Sequence, residues 1–252
     1  MAKYHSYISI GAGLLYLIVL QKFAVPQPVF RFIFPAVLVF SLLVSGYNYW
    51  YLGIQQKYNF WVIARRFLFL MGGLGVFSLL PSAGLRGLFL ISAAVLVAFF
   101  EYTIASFAEN ILINETLIIA FSAFVTILGA ETYMSPFFRP YLGTFYLIAI
   151  FAAVLIISRA FYEFIPQGPK VKLLNSLAVA LFCTEMFWAL TFLPFHYSAL
   201  AVLLFNVFYL CLILNYYHLF QILNLKKIKF HLIFALVCSL IVLIMTPWKV
   251  IV

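Results

Sequence analysis

The sequence predicts an all-α, polytopic integral membrane bundle of about nine transmembrane helices, arranged as four tandem helical hairpins plus a C-terminal helix. Three observations carry that reading. The 252 residues are 67% hydrophobic and only 8% charged, whereas soluble domains carry about 25% charged residues. The mean hydropathy is +1.16, and a water-soluble fold of this size has no means of hiding so much apolar surface. Apolar stretches close to the length of about 20 residues needed to cross a bilayer alternate with short polar breaks from one end to the other.

The expected spans are 6–24, 28–53, 59–80, 84–108, 111–134, 140–163, 172–195, 197–223 and 229–247. No stretch is left over for a soluble domain, so residues 1–252 read as a single transmembrane domain. The N-terminal apolar stretch lacks a small-residue cleavage site and reads as the first span rather than a removed signal peptide.

Four breaks on one side share a pattern: Pro26-Gln-Pro-Val-Phe-Arg31, Pro81-Ser-Ala-Gly-Leu-Arg86, Pro136-Phe-Phe-Arg139 and Pro194-Phe-His196. Proline ends one helix and suits the first turn of the next. The basic residues recur at separations of 55, 53 and 57. The second helix of each pair ends in aromatics: Tyr47-Asn-Tyr-Trp-Tyr, Phe99-Phe-Glu-Tyr, Phe161-Tyr-Glu-Phe and Tyr216-Tyr-His-Leu. These features predict repeats over 6–53, 59–108, 111–163 and 172–223, closed by the helix 229–247. The same aromatics serve as anchors at the membrane interface.

Charge sets the expected orientation. Nine spans would place ten Lys and Arg residues on the side of the N-terminus and five on the other. The positive-inside rule then puts the N-terminus in the cytoplasm and the C-terminus outside, in a cell membrane, with a bacterial inner membrane the natural setting. The net charge of +9 reflects these helix-end residues facing lipid phosphates. Nucleic acid is not an expected partner, because no basic patch is long enough to track a phosphate backbone. The lipid bilayer is the expected partner. The sequon Asn114-Glu115-Thr116 falls at a helix start on the expected cytoplasmic side and carries no weight.

Ionisable groups inside spans are costly unless paired. Residues equidistant from a hairpin turn lie at equal depth, which sets Glu101 level with Arg65 and Glu115 level with Arg159. Both are expected as ion pairs, with Arg66 as the alternative partner of Glu101. Arg159 and Glu163, spaced i, i+4, share a helix face. Together with His218 these residues form an expected polar cluster at the cytoplasmic side. Its structural reading is a set of hairpin staples; its functional reading is a pocket for an anionic headgroup or for protons. Glu185 stands apart, near the centre of the seventh span, with Asn206 expected level with it. A hydrogen bond from Glu185 to the Asn206 amide is the expected arrangement. It reads either as a packing contact or as a proton carrier and binding site.

No cofactor or metal is expected. Cys183, Cys211 and Cys238 lie within apolar spans, with no zinc-ligand spacing, and read as small buried hydrophobes. His196 and His218 are 22 residues apart on one helix, roughly 33 Å at 1.5 Å per residue. They cannot clamp one ion. The chain has no aspartate, which excludes membrane enzymes built on Asp-rich magnesium–diphosphate motifs, and no mid-membrane lysine for a retinal Schiff base.

Phe192-Leu-Pro-Phe-His196 resembles the F-x-x-x-H motif of the intramembrane prenyl-protease family, with His231 following at a suitable distance. The resemblance would imply a peptide-processing membrane enzyme. The chain departs from the family elsewhere: Tyr162-Glu163-Phe-Ile-Pro-Gln167 lacks one Glu and the Arg of the first motif, and Ala235 stands where Asn or Asp is required. The expected topology also puts His196 and His231 at opposite faces. No catalytic residue is therefore assigned. The expected function is binding or translocation of a small or lipidic solute. The alternatives are an intramembrane enzyme acting on lipid or peptide, using Glu163, His196 or His218, and a structural or assembly subunit without a ligand.

Overall fold

In the computed structural model, the described residues are chiefly 83–106, 139–162, 165–193, 197–221 and 225–246, together with parts of the stretch 7–73. They are helical, with no strand among them. Five helices have defined bounds: α1 (Ala83–Ser106), α2 (Arg139–Tyr162), α3 (Pro169–Leu190), α4 (Tyr197–Leu219) and α5 (Leu225–Met245). The segments Pro169–Leu190, Ala199–Leu219 and Ile228–Met245 are long and apolar enough to cross a membrane. Only helices and closed barrels satisfy every backbone polar group within lipid. The chain is a helical transmembrane protein.

The contacts divide the chain into two compact units, Met1–Ser122 and Ala123–Val252. In the first, Gly13 lies so close to α1 that a Cβ would sit 2.6 Å from the Ala94 carbonyl oxygen and 2.9 Å from Ala98 Cβ. Small residues on both sides allow this backbone approach, the usual means of tight helix packing in membranes. One turn on, Tyr16 is buried against Phe40, with ring centroids 6.0 Å apart, and its hydroxyl donates to the Leu70 carbonyl at 3.3 Å.

In the second unit consecutive helices pack on one another: α2 on α3, α3 on α4, and α4 on α5. The buried face of α2 is Ile150, Ala153, Val154, Ile157 and Ala160, at helical spacing. Along α4, Leu200, Leu204, Phe208 and Leu212 recur every four residues and are buried. On α5 only Ile228 and Ala235 are buried apolar residues among those described, while Leu232, Ile233, Leu236, Leu240 and Ile244 are exposed. A helix apolar on its exposed face suits lipid as solvent.

Polar side chains within these helices fold back on their own backbone. Thr184 donates to Ala180 O at 2.7 Å, Ser176 to Lys172 O at 2.8 Å, Thr246 to Val242 O at 2.6 Å, and Ser158 to Val154 O. The i−4 carbonyl satisfies a hydroxyl that lipid cannot.

The helix ends show why the boundaries fall where they do. Gly168 in extended conformation and Pro169 in the first turn start α3. Thr191 ends it: its N–H donates to Phe187 O at 3.1 Å and its hydroxyl to Trp188 O at 2.6 Å. The helix thus stops short of Pro194, the residue expected to terminate it. At the other end of α4, Gln221 takes a left-handed φ of 56°, the conformation that closes many helices and that glycine adopts at least cost.

Candidate functional site

The polar residues of α4 and α5 meet along one seam. Asn206, Tyr209 and Tyr217 project from one side of α4, and His231, Ala235 and Ser239 follow one another at four-residue intervals on α5. Tyr209 Oη lies 2.6 Å from His231 Nδ1, and Tyr217 Oη lies 3.0 Å from Nε2. Further along, the Asn206 amide donates to Ser239 Oγ at 3.0 Å and makes a longer contact to Ala235 O at 3.5 Å.

A hydrogen count defines what the Tyr209–His231–Tyr217 triad can do. A neutral imidazole has one N–H donor and one bare nitrogen acceptor. One tyrosine therefore donates to the ring, and the other accepts from it. The accepting tyrosine keeps a spare O–H in either tautomer. Aromatic rings frame the triad: Phe230 lies 5.6 Å from His231, Phe234 6.1 Å from Tyr209 and Phe205 6.2 Å from Tyr209, centroid to centroid. Phe230 and Phe234 are exposed, and the three polar members are half-buried. The triad is thus a polar group set in an apolar, lipid-accessible face.

Tyr217 is followed by His218, and His218 opens onto a cavity of about 320 Å³ lined by Gln167, His218, Leu219 and Gln221. Gln167, in the connection between α2 and α3, donates from Nε2 to Leu219 O at 3.2 Å and so ties that connection to the end of α4. Amide and imidazole groups there offer both donors and acceptors to a polar ligand.

The sequence-expected residues fall out as follows. Asn206 is buried at 4% exposure, but its amide engages α5 and not Glu185. The expected Glu185–Asn206 hydrogen bond is corrected on this point. Equal distance from a turn fixes height along a helix but not direction around it, and Asn206 points toward Ser239. Glu185 is exposed on α3. It also lies five residues before the helix end at Leu190, about 7–8 Å along the axis, rather than near the centre of the span. His218 is exposed at the end of α4 and lines the cavity; Arg159 is buried near the end of α2. Glu101 lies on α1, with its side chain outside the described residues. Arg65, Arg66, Glu115, Glu163 and His196 lie outside the described residues, and the two expected ion pairs fall there with them.

Reading the sequence missed the triad. Its histidine and tyrosines each resemble interfacial residues of a membrane helix. The available signal was the pairing of two tyrosines eight residues apart with a histidine near the start of the following helix. Comparison with known protein families, curated proteins and solved structures finds no match.

Proposed function

We propose that this is a multi-pass membrane protein that binds or translocates a small or lipidic solute. The observation that carries the reading is the triad with its spare hydroxyl, set among exposed aromatic rings next to the residue that opens the cavity. A polar group offered toward lipid favours a ligand with an apolar body and a hydrogen-bonding head. Nine spans in four tandem hairpins plus a closing helix form the proposed full architecture, a single domain in the cell membrane of a bacterium, N-terminus inside and C-terminus outside. The proline–basic repeat and the asymmetry of Lys and Arg support that arrangement. Glu185, exposed on α3, is the proposed site of proton coupling.

The test uses the full chain reconstituted in liposomes, with binding and flux measured across a panel of lipids and small amphiphiles. Replacing His231 with Phe is expected to weaken binding of the responding ligand by about 10-fold, the equivalent of one good hydrogen bond of about 1.4 kcal/mol. Glu185→Gln is expected to leave binding intact and slow proton-coupled flux. A panel that shows no binding above protein-free liposomes refutes the reading, and unchanged flux in Glu185→Gln removes that residue from the mechanism.

A further inference from the structure

The start of α3, the end of α4 and the start of α5 meet at one end of the second unit. Gln167, just before α3, donates from Nε2 to Leu219 O at the end of α4. The pairs Asn206–Ser239 and Tyr217–His231 run in opposite directions along α4 and α5, so α5 begins beside the place where α4 ends. The apolar segments Pro169–Leu190, Ala199–Leu219 and Ile228–Met245 all have a boundary here, which sets this end at the level of the lipid headgroups. The cavity of about 320 Å³ opens at this level, between Gln167, His218, Leu219 and Gln221. Two carbonyls at the end of α4 are already engaged: Leu219 O accepts from Gln167, and His218 O accepts from the Gln221 N–H at 3.0 Å. The side chains that line the cavity are then the His218 imidazole and the carboxamides of Gln167 and Gln221, all of which carry N–H donors. Among the described residues no acidic side chain lines it. The stretches 159–172 and 216–231, whose helical parts meet at this end, hold six Lys or Arg residues against one acid, Glu163.

We propose that this cavity binds the phosphate headgroup of an anionic phospholipid, whose acyl chains stay in the surrounding bilayer. The inference rests on the reading of the chain as a binder of a lipidic solute, and it names the head of that ligand. The depth of the cavity is that of lipid phosphates. Its volume lies at the small end of the roughly 300–1,000 Å³ of ligand sites, enough for a headgroup and not for a whole lipid. Its surroundings are basic. Lys170 is exposed in the first turn of α3, three residues after Gln167, and Lys229 is exposed in the second turn of α5. Lys226 and Lys227 lie in the first turn of α5. Basic pockets between membrane helices suit anionic heads, and each lysine near the surface strengthens such binding by about 5-fold. Ionised phosphate oxygens accept hydrogen bonds, which matches a cavity lined by N–H donors. A zwitterionic head brings a cation of its own to this basic end and loses the attraction. Tyr217 immediately precedes His218, so the nearest member of the triad lies within one turn of the cavity along α4, where the ester groups of a lipid follow its phosphate.

The experiment uses the purified full chain in a neutral detergent. Native mass spectrometry counts the bound lipid as phosphatidylglycerol or phosphatidylcholine with the same acyl chains is added. Phosphatidylglycerol is expected to bind about 10-fold more tightly or better, with the difference shrinking as salt screens the lysines. His218→Phe and Gln221→Gly each remove one set of donors, and glycine takes the left-handed backbone of residue 221 without strain. Each should weaken phosphatidylglycerol binding about 10-fold and leave phosphatidylcholine unchanged. Inorganic phosphate supplies the same oxygens without acyl chains, and at matched ionic strength it should not displace the lipid. Equal binding of the two lipids overturns the headgroup assignment while lipid binding itself stands. So does undiminished phosphatidylglycerol binding by the folded double variant. Displacement by inorganic phosphate assigns the site to the free anion and overturns the lipid as its occupant. Failure to retain either lipid overturns both readings.

Discussion

Replacing His231 with phenylalanine removes both hydrogen bonds that tie α5 to Tyr209 and Tyr217 while keeping a ring in the same place. The two contacts, 2.6 and 3.0 Å long, are interhelical bonds within a membrane protein. Such bonds average about 0.6 kcal/mol and reach about 1.7 kcal/mol. Two of them give an expected loss of about 1–3 kcal/mol, or roughly 5- to 150-fold in the unfolding equilibrium. The ring contacts at 5.7 Å to Tyr209 and 5.8 Å to Tyr217 are available to phenylalanine as well, so the loss reports the polar contacts and not a cavity. Equilibrium unfolding by sodium dodecyl sulfate in mixed micelles, followed by circular dichroism, measures the difference. Double-mutant cycles with Tyr209→Phe and Tyr217→Phe then isolate each bond. Coupling energies below about 0.3 kcal/mol in both cycles, the level found for independent sites, would refute the triad as a linked unit.

Three further outcomes are open to the same assay. Gly13→Ala is expected to destabilise by about 1–3 kcal/mol through overpacking, because the new Cβ meets the Ala94 carbonyl, which is backbone and cannot swing away. Gly11→Ala, with nothing within 4 Å of its Cβ, should instead stabilise by about 0.5–1 kcal/mol. Asn206→Leu and Ser239→Ala should each cost about 0.5–1.7 kcal/mol, and the double variant should cost less than their sum, because both remove the same bond.

The helical class and the approximate helix positions were legible because a lipid solvent imposes a simple demand, a long apolar run with its backbone bonded internally. Expected spans at 84–108 and 140–163 correspond to helices at 83–106 and 139–162. The departures have local causes. The seventh span was expected to run to 195, guided by Pro194, whereas Thr191 already closes α3 through its own hydroxyl and N–H. The ninth is expected to start at Lys229, whereas α5 begins at Leu225 and takes Lys226 and Lys227 as well as Lys229 into its first two turns. Lysine is a good helix former, and its stem lets the charge reach the interface from a helix end.

The candidate site was far less legible. Depth matching from hairpin turns located Asn206 as a buried polar residue worth attention but chose the wrong partner. Depth matching bears on charged groups, whose cost in lipid demands a partner, whereas tyrosine and histidine at helix ends raise no such demand and so leave the triad without a sequence signal of that kind.

Composition and patterning, then, determined that this chain lives in a membrane as helices, because burial of an apolar chain in lipid is a property summed over residues and needs no knowledge of neighbours. Which polar groups meet was decided by tertiary structure. A hydrogen bond depends on the direction a side chain takes around its helix and on which helix lies in that direction. The repeat of a sequence gives the first only relative to its own helix and does not give the second. That is why Asn206 finds Ser239, His231 finds two tyrosines, and Glu185 is left on an exposed face of α3.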